Sequence, residues 1–205
     1  MSECSCGCGR DFKEDVEKTI REMMKASSAH LEGHFKLTSG LHSGNYVQCA
    51  LMLRFPKYAA YAGEKLAALL APSKPEIVLA PALGGLIIGH EVARALDLPF
   101  LFCERQEGEM KLRRFPFPGK VRFALVEDVV TTGKSSYETA KILTGDGAEW
   151  VSWGSVVDRR PAGSEQEMPL SSLWKVDFPV YEPDSCPLCA DRLPIVKPGS
   201  RPDKK

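Results

Sequence analysis

The sequence lacks a surplus of charge of either sign, with 27 Lys and Arg set against 27 Asp and Glu in 205 residues. Without a basic excess there is no electrostatic footprint for nucleic acid or an anionic membrane as the main partner. Long apolar runs are missing too: no stretch nears the roughly 20 residues that span a bilayer. Met1 to Arg10 has none of the apolar core of a secretory signal, so a cytoplasmic location is expected. No internal repeat is found. The seven cysteines are an odd number in a chain with no signal segment, which does not fit a secreted disulfide framework. Cys49 and Cys103 stand among apolar neighbours and read as core residues.

What is present is a repeated alternation of short apolar runs and helical stretches. Asp11 to His30 carries Phe12, Val16, Ile20, Met23 and Met24 at helical spacing among charges, which predicts an amphipathic helix. Gly33 to Cys49 has the glycines, serines and aromatics of short strands and tight turns. Pro56 suits the first turn of a helix reaching about Ala71. Four mainly apolar runs follow, starting at Ile77, Pro99, Val121 and Trp150, with helices after the first and third. Strands without polar alternation are buried on both faces, so the expectation is an α/β fold with a parallel sheet flanked by helices. Such a sheet binds its ligand at the strands' carboxyl ends. Arg105 to Lys120 is polar, punctuated by proline and without a period, and reads as a long functional loop. The chain divides into a Cys-rich start and helix (1–32), a core (33–160, with 33–50 in a small hood) and a C-terminal extension with a disordered tail (161–205).

The most informative segment runs from Leu125 to Ser135. Two acids, Glu127 and Asp128, end an apolar strand, and Val129-Val130-Thr131-Thr132-Gly133-Lys134-Ser135 turns into a helix. Gly-Lys-Ser suggests the phosphate loop of nucleotide hydrolases, but that loop needs a glycine where this chain has Asp128. Backbone N–H groups at a helix start, with the dipole behind them, suit a terminal phosphate. Carboxylates one sugar length away suit vicinal hydroxyls. Ribose 5-phosphate meets both conditions, although an acidic strand end beside an ordinary N-cap is the plainer alternative.

Leu125 to Ser135 resembles the phosphoribosyl pyrophosphate signature of the type I phosphoribosyltransferases. Gly33 to Tyr46 is similar to the Phe-x-Leu-x-Ser-Gly segment of the orotate members, Pro81-Ala-Leu-Gly-Gly85 to their pyrophosphate loop, and Val156-Val-Asp-Arg159 to their Asp-Arg. The resemblance implies a pentosyltransferase that moves ribose 5-phosphate from phosphoribosyl pyrophosphate to orotate in pyrimidine synthesis. It further implies a parallel-sheet core with a hood made by the N- and C-terminal parts, and a homodimer with shared active sites. Glu127 and Asp128, with Lys111, would be catalytic. Glu127 to Ser135, Arg105, Gly84 and Gly85 would bind phosphoribosyl pyrophosphate. Thr131 and Arg159 would bind orotate, whose carboxylate matches a planar guanidinium. Mg²⁺ would ride on the diphosphate without direct protein ligands. On local sequence, an ion pair with Asp158 or a surface position is the plainer alternative for Arg159, and Thr131 could equally cap a helix.

Three departures from the family pattern leave the pyrophosphate cation open. Gly84 and Thr38 stand where the family has lysines, and its adjacent Arg-Lys reads Arg105-Gln106 here. Arg105, Lys111, Arg113 and Arg114 are the available cations. A purine-base transferase and a non-enzymatic sensor of phosphoribosyl pyrophosphate are the alternatives; the Asp158-Arg159 pair argues against the first, the lack of a DNA-binding element against the second. Cys186-x-x-Cys189 has the spacing of half a structural zinc site, with Cys4, Cys6 and Cys8 as candidates for the rest. Free thiols or a redox pair are equally compatible with that spacing.

Overall fold

Helix α1 (Cys8–Ala26) opens the chain and lays Val16, Ile20 and Met24 against the protein interior. The computed structural model describes residues 8–37, 39–164 and 167–198. A hairpin follows, β1 (His30–Lys36) and β2 (His42–Val47), antiparallel with a register shift between Glu32 and Phe35. A short helix, α2 (Cys49–Leu53), leads into α3 (Pro56–Leu70), where Pro56 takes the first helical turn that needs no amide hydrogen.

The four apolar runs then fall on β3 (Ile77–Pro81), β4 (Phe100–Gln106), β6 (Arg122–Val130) and β7 (Glu149–Asp158). Helix α4 (Gly85–Leu96) joins β3 to β4, and α5 (Lys134–Thr144) joins β6 to β7. These strands pair in parallel, as the absence of polar alternation requires. Their side chains divide between two apolar layers. Val78, Ala124, Val126 and Val156 meet Leu66 of α3 and Ile88 and Val92 of α4 on one face. Leu79, Phe123, Leu125 and Trp153 meet Ala140 and Leu143 of α5 on the other.

Two stretches differ from the sequence expectation. Arg105 to Lys120 does not begin as a loop: β5 (Glu109–Lys111) folds back on β4 across Glu107 and Gly108, both at positive φ (53° and 89°). Paired positive φ values give the tight turn whose twist suits a two-residue hairpin. The core also runs past residue 160, because β8 (Leu170–Lys175) adds to β7 and buries Leu173 and Trp174. The six-stranded order is β5-β4-β3-β6-β7-β8. The C-terminal segment then supplies β9 (Val180–Tyr181), α6 (Pro187–Ala190) and β10 (Ile195–Val196). Strands β9 and β10 flank the hairpin in a second sheet, β10-β1-β2-β9. The expected disordered tail, 199–205, lies outside the described residues, as does Thr38.

Leu66 is fully buried between α3 and the sheet. Leu66→Ala is expected to cost about 2–5 kcal/mol, from lost burial and an unfilled cavity. A lower urea midpoint at unchanged slope is the readout.

Candidate active site

The chain leaves β3 toward β4 on one side of the sheet and leaves β6 toward β7 on the other. The carboxyl ends of β3 and β6 therefore flank the point where the winding reverses, which is where an open α/β sheet forms its crevice. Pro81 to Gly84 leaves β3 there, and Glu127 and Asp128 occupy the end of β6. The two meet closely. A Cβ added to Gly84 would lie 2.5 Å from Oδ1 of Asp128. Gly84 is thus the contact that lets the loop reach the carboxylate. It also accounts for the missing lysine, since any side chain at this position would displace Asp128.

The two acids differ in surroundings. Glu127 is 8% exposed and accepts a hydrogen bond from the Ser136 hydroxyl of α5. Burial pushes its carboxyl up to about 7, helped by the neighbouring Asp128 charge and opposed by the Ser136 hydrogen bond. Asp128 is also raised by burial, against the backbone amides that favour its charged form. Beneath it, the buried Cys49 thiol lies 3.6 Å from the Asp128 carbonyl, and burial pushes that thiol well above its ordinary value. Cys49 and Cys103 are both core residues.

Beyond Val130 the backbone turns at Gly133, whose φ of 74° is left-handed, and enters α5. Thr131, Thr132 and Lys134 are exposed, and Ser135 is half-buried. The first turn of α5 faces this bend with amide hydrogens that have no intrahelical partner. The side chain of Thr132 also caps the turn, accepting from the Lys134 amide at 3.3 Å.

Strand β7 runs parallel to β6, with Val130 opposite Asp158. Thr131 and Arg159 are each one step further on, so they emerge side by side, and the Arg159 amide donates to the Val130 carbonyl at 2.8 Å. The Asp158 partner is Arg160, not Arg159: the Arg160 guanidinium binds both carboxylate oxygens at 3.0 Å. Lys175 adds a third contact to Asp158 at 3.0 Å. Among the described residues no carboxylate stands within ion-pair distance of Arg159. Its guanidinium lies 5.8 Å from the Phe178 ring, and Phe178 stacks on His30, whose Nε2 meets Asn45 Oδ1 at 2.9 Å. The result is a half-buried cation on an aromatic shelf, facing the crevice from the hood side.

The candidate pyrophosphate cations are held elsewhere. Arg105 binds Glu138 of α5 and the Gly108 carbonyl; Arg113 and Arg114 bind Glu104; Lys111 lies 3.4 Å from Glu109. Lys134 reaches toward Glu138 at 3.8 Å. Each is thus paired with a carboxylate of the same hairpin or of α5. Cys186 and Cys189 lie at the start of α6 and on it, beside His34 and His42 of the small sheet. Cys4 and Cys6 lie outside the described residues, and Cys8 opens α1. Ser136, His30, Asn45 and Phe178 are the site residues sequence reasoning missed. Ser136 alone left a signal, as the next hydroxyl after the Thr-Thr-Gly-Lys-Ser turn.

Gly84→Ala is expected to lower kcat/KM about ten- to hundredfold by displacing the Asp128 carboxylate, with the far-UV circular dichroism unchanged. An ionised carboxylate is the stronger acceptor and the form that stabilises developing positive charge, and burial pushes the Glu127 carboxyl up to about 7. Activity of the free enzyme should therefore rise with pH through that region. Ser136→Ala, which removes the bond that lowers this value, should move the rise to higher pH. An unmoved rise would assign it to another group.

No family model matches the chain. It is 48% identical over 184 residues to an orotate phosphoribosyltransferase of Thermotoga maritima, covering 89% of this chain and 98% of that one. To the orotate phosphoribosyltransferase of Carboxydothermus hydrogenoformans it is 47% identical over 185 residues, covering 89% and 97%. Among solved structures, the orotate phosphoribosyltransferase of Aeropyrum pernix superposes with a TM-score of 0.66 at 23% identity, over 76% of this chain and 92% of that one. An adenine phosphoribosyltransferase of Thermoanaerobacter pseudethanolicus shares the fold at a TM-score of 0.57 and 19% identity, over 64% and 88%. Identity near one half over nearly the whole length is decisive for kinship, and the chain belongs to the orotate phosphoribosyltransferase family.

Proposed function

We infer that the crevice at the ends of β3, β6 and β7 transfers ribose 5-phosphate from phosphoribosyl pyrophosphate to orotate, giving orotidine monophosphate and pyrophosphate for pyrimidine synthesis. The observation that carries this reading is the adjacency of two sites on one sheet edge. An acidic pair, Glu127 buried and Asp128 half-buried, with a helix-start cradle adjoins a guanidinium that no carboxylate among the described residues occupies.

In this reading the amides of Thr131 to Ser135 hold the 5-phosphate, and Glu127 and Asp128 accept from the ribose hydroxyls. As the C1–O bond to pyrophosphate breaks and the bond from C1 to the orotate nitrogen forms, positive charge develops on the ribose. The two carboxylates would stabilise that growing charge from the floor of the crevice, where Glu127 is buried. Ser136 holds Glu127 in place. Gly84 and Gly85 bring backbone close to the departing pyrophosphate. Arg159 takes the orotate carboxylate in the two-pronged geometry only a guanidinium offers, and its aromatic shelf continues the flat surface a pyrimidine needs. This favours orotate over a purine base, which has no carboxylate. Thr131, beside Arg159, is placed to touch both substrates.

Mg²⁺ is the expected cofactor. The crevice fits an ion carried by substrate: its two acids are adjacent in sequence, and no cage of further acids surrounds them among the described residues. Such an ion would keep water and phosphate oxygens as its ligands, and Glu127 and Asp128 would be the residues nearest to hold it indirectly. When bound it neutralises the diphosphate. A homodimer with shared sites follows from the family pattern, with Arg105, Lys111, Arg113 or Arg114 exchanging their carboxylate partners for the pyrophosphate of the neighbouring site. No helix among the described residues is long and apolar enough to cross a membrane. A cytoplasmic setting suits the substrates.

The direct test is loss of orotate absorbance on adding phosphoribosyl pyrophosphate and Mg²⁺; turnover of adenine instead would overturn the acceptor. Arg159→Ala should raise the orotate KM about ten- to hundredfold, the value of a lost charge-assisted pair, and leave the KM for phosphoribosyl pyrophosphate nearly unchanged. Asp128→Asn should lower kcat with any acceptor.

A further inference from the structure

The small sheet contains a cluster that the transfer reaction does not use. His34 on β1 and His42 on β2 approach with Nε2 and Nδ1 3.1 Å apart. Cys186 Sγ lies 3.6 Å from His34 Nε2, and Cys189 Sγ lies 3.7 Å from the same nitrogen and 3.4 Å from His42 Nδ1. All four atoms fall within 4.8 Å of one another. His34, His42 and Cys186 are buried, and Cys189 sits at the rim.

These separations are those of a coordination shell. A tetrahedral ion with bonds of about 2.0–2.1 Å to nitrogen and about 2.3 Å to sulfur sets its nitrogen pair about 3.3 Å apart, and each nitrogen about 3.6 Å from each sulfur. The ring orientation points the same way. His34 Nδ1 lies 2.9 Å from the Leu193 carbonyl, which can only accept, so Nδ1 carries the hydrogen and Nε2 turns a bare lone pair on the cluster. A second shell of this kind fixes the tautomer a metal ligand needs. The bulge between Glu32 and Phe35 breaks the alternation of β1 at His34. Without a metal, a hydrogen on His42 Nδ1 could serve His34 Nε2, but the Cys186 and Cys189 sulfurs would be left with only weak hydrogen bonds to the rings.

We propose that His34, His42, Cys186 and Cys189 hold one structural zinc ion that fastens the C-terminal segment to the β1–β2 hairpin. Two thiolates and two imidazoles suit zinc by softness and geometry, and two thiolates balance its charge, which makes burial affordable. Four protein ligands close the shell, leaving no position for chemistry. The two partner ligands beside the Cys-x-x-Cys pair are thus hairpin histidines, not the N-terminal cysteines that the sequence offers.

The fold explains the need. Residues 179–198 contribute nothing to either of the two apolar cores, and Val180, Leu193, Ile195 and Val196 are exposed. Strands β9 and β10 are two residues long each. So little apolar burial cannot fix a segment that joins residues more than 150 positions apart, as Cys186 and His34 are. A metal clip supplies that closure. His34 and His42 also bracket Phe35 to Gly40, whose Phe-x-Leu-x-Ser-Gly sequence resembles the family landmark.

The test uses the untagged full chain, purified without chelators from zinc-replete cells. Elemental analysis should give about one zinc per chain, falling below about a tenth in Cys186→Ser/Cys189→Ser. Cobalt loaded in place of zinc should give the visible bands of a tetrahedral ion and thiolate charge transfer in wild type, a readout that stands even if the variant folds poorly. Less than a tenth of a zinc in wild type without a cobalt spectrum would overturn the proposal. A Cys186–Cys189 disulfide in the native protein, or full zinc retained by the double variant, would do so as well. None of these readouts involves orotate, so the zinc can fail while the transferase reading stands.

Discussion

The site depends on parallel pairing of β6 with β7, in a register that sets Val130 opposite Asp158. That pairing determines which residues leave the sheet together. One strand delivers two carboxylates and then a phosphate cradle; the other delivers Arg159 at the same height. A slip of one residue would turn every side chain to the opposite face, exchanging the Leu125 layer with the Val126 layer. The buried cores on both faces make such a slip costly, so packing far from the crevice holds its geometry.

Around this edge, the polar groups are arranged by what each lacks. Arg160 and Lys175 neutralise Asp158 and leave Arg159 facing the shelf of Phe178 and His30. Glu127 and Asp128 have no cation beside them, and burial raises both. A carboxyl pair raised by burial, and in no ion pair among the described residues, is ready to receive hydroxyls and a magnesium-bearing substrate. The basic hairpin, in contrast, is fully engaged with Glu104, Glu109 and Glu138. Using any of its cations on pyrophosphate requires exchanging one carboxylate partner for another anion, an exchange with little net cost for exposed ion pairs.

Much of this was legible in the sequence. The four apolar runs marked the parallel strands because burial on both faces removes polar alternation. The Asp128 for glycine exchange separated a ribose site from a nucleotide-hydrolase loop. Local pattern was less informative where the structure rests on distant contacts. The Glu107-Gly108 turn hid a hairpin inside an apparent loop, since a three-residue β5 leaves too short a run to show alternation. Strand β8 lies beyond a proline-rich stretch that reads as the end of the domain. The Ser136 contact to Glu127 and the shelf beneath Arg159 depend on which elements pack together. The metal cluster is the extreme case: its ligands come in two pairs from opposite ends of the chain, and spacing can reveal only one pair at a time.

The central claim is that Arg159 reads the acceptor's carboxylate while the acidic pair and cradle serve the ribose alone. Measuring kcat/KM for orotate and for uracil, which lacks the carboxylate, tests it in wild type and in Arg159→Ala. The expected result is a strong preference for orotate in wild type that collapses toward unity in the variant, chiefly through loss of orotate turnover. A preference that survives Arg159→Ala unchanged would contradict the account.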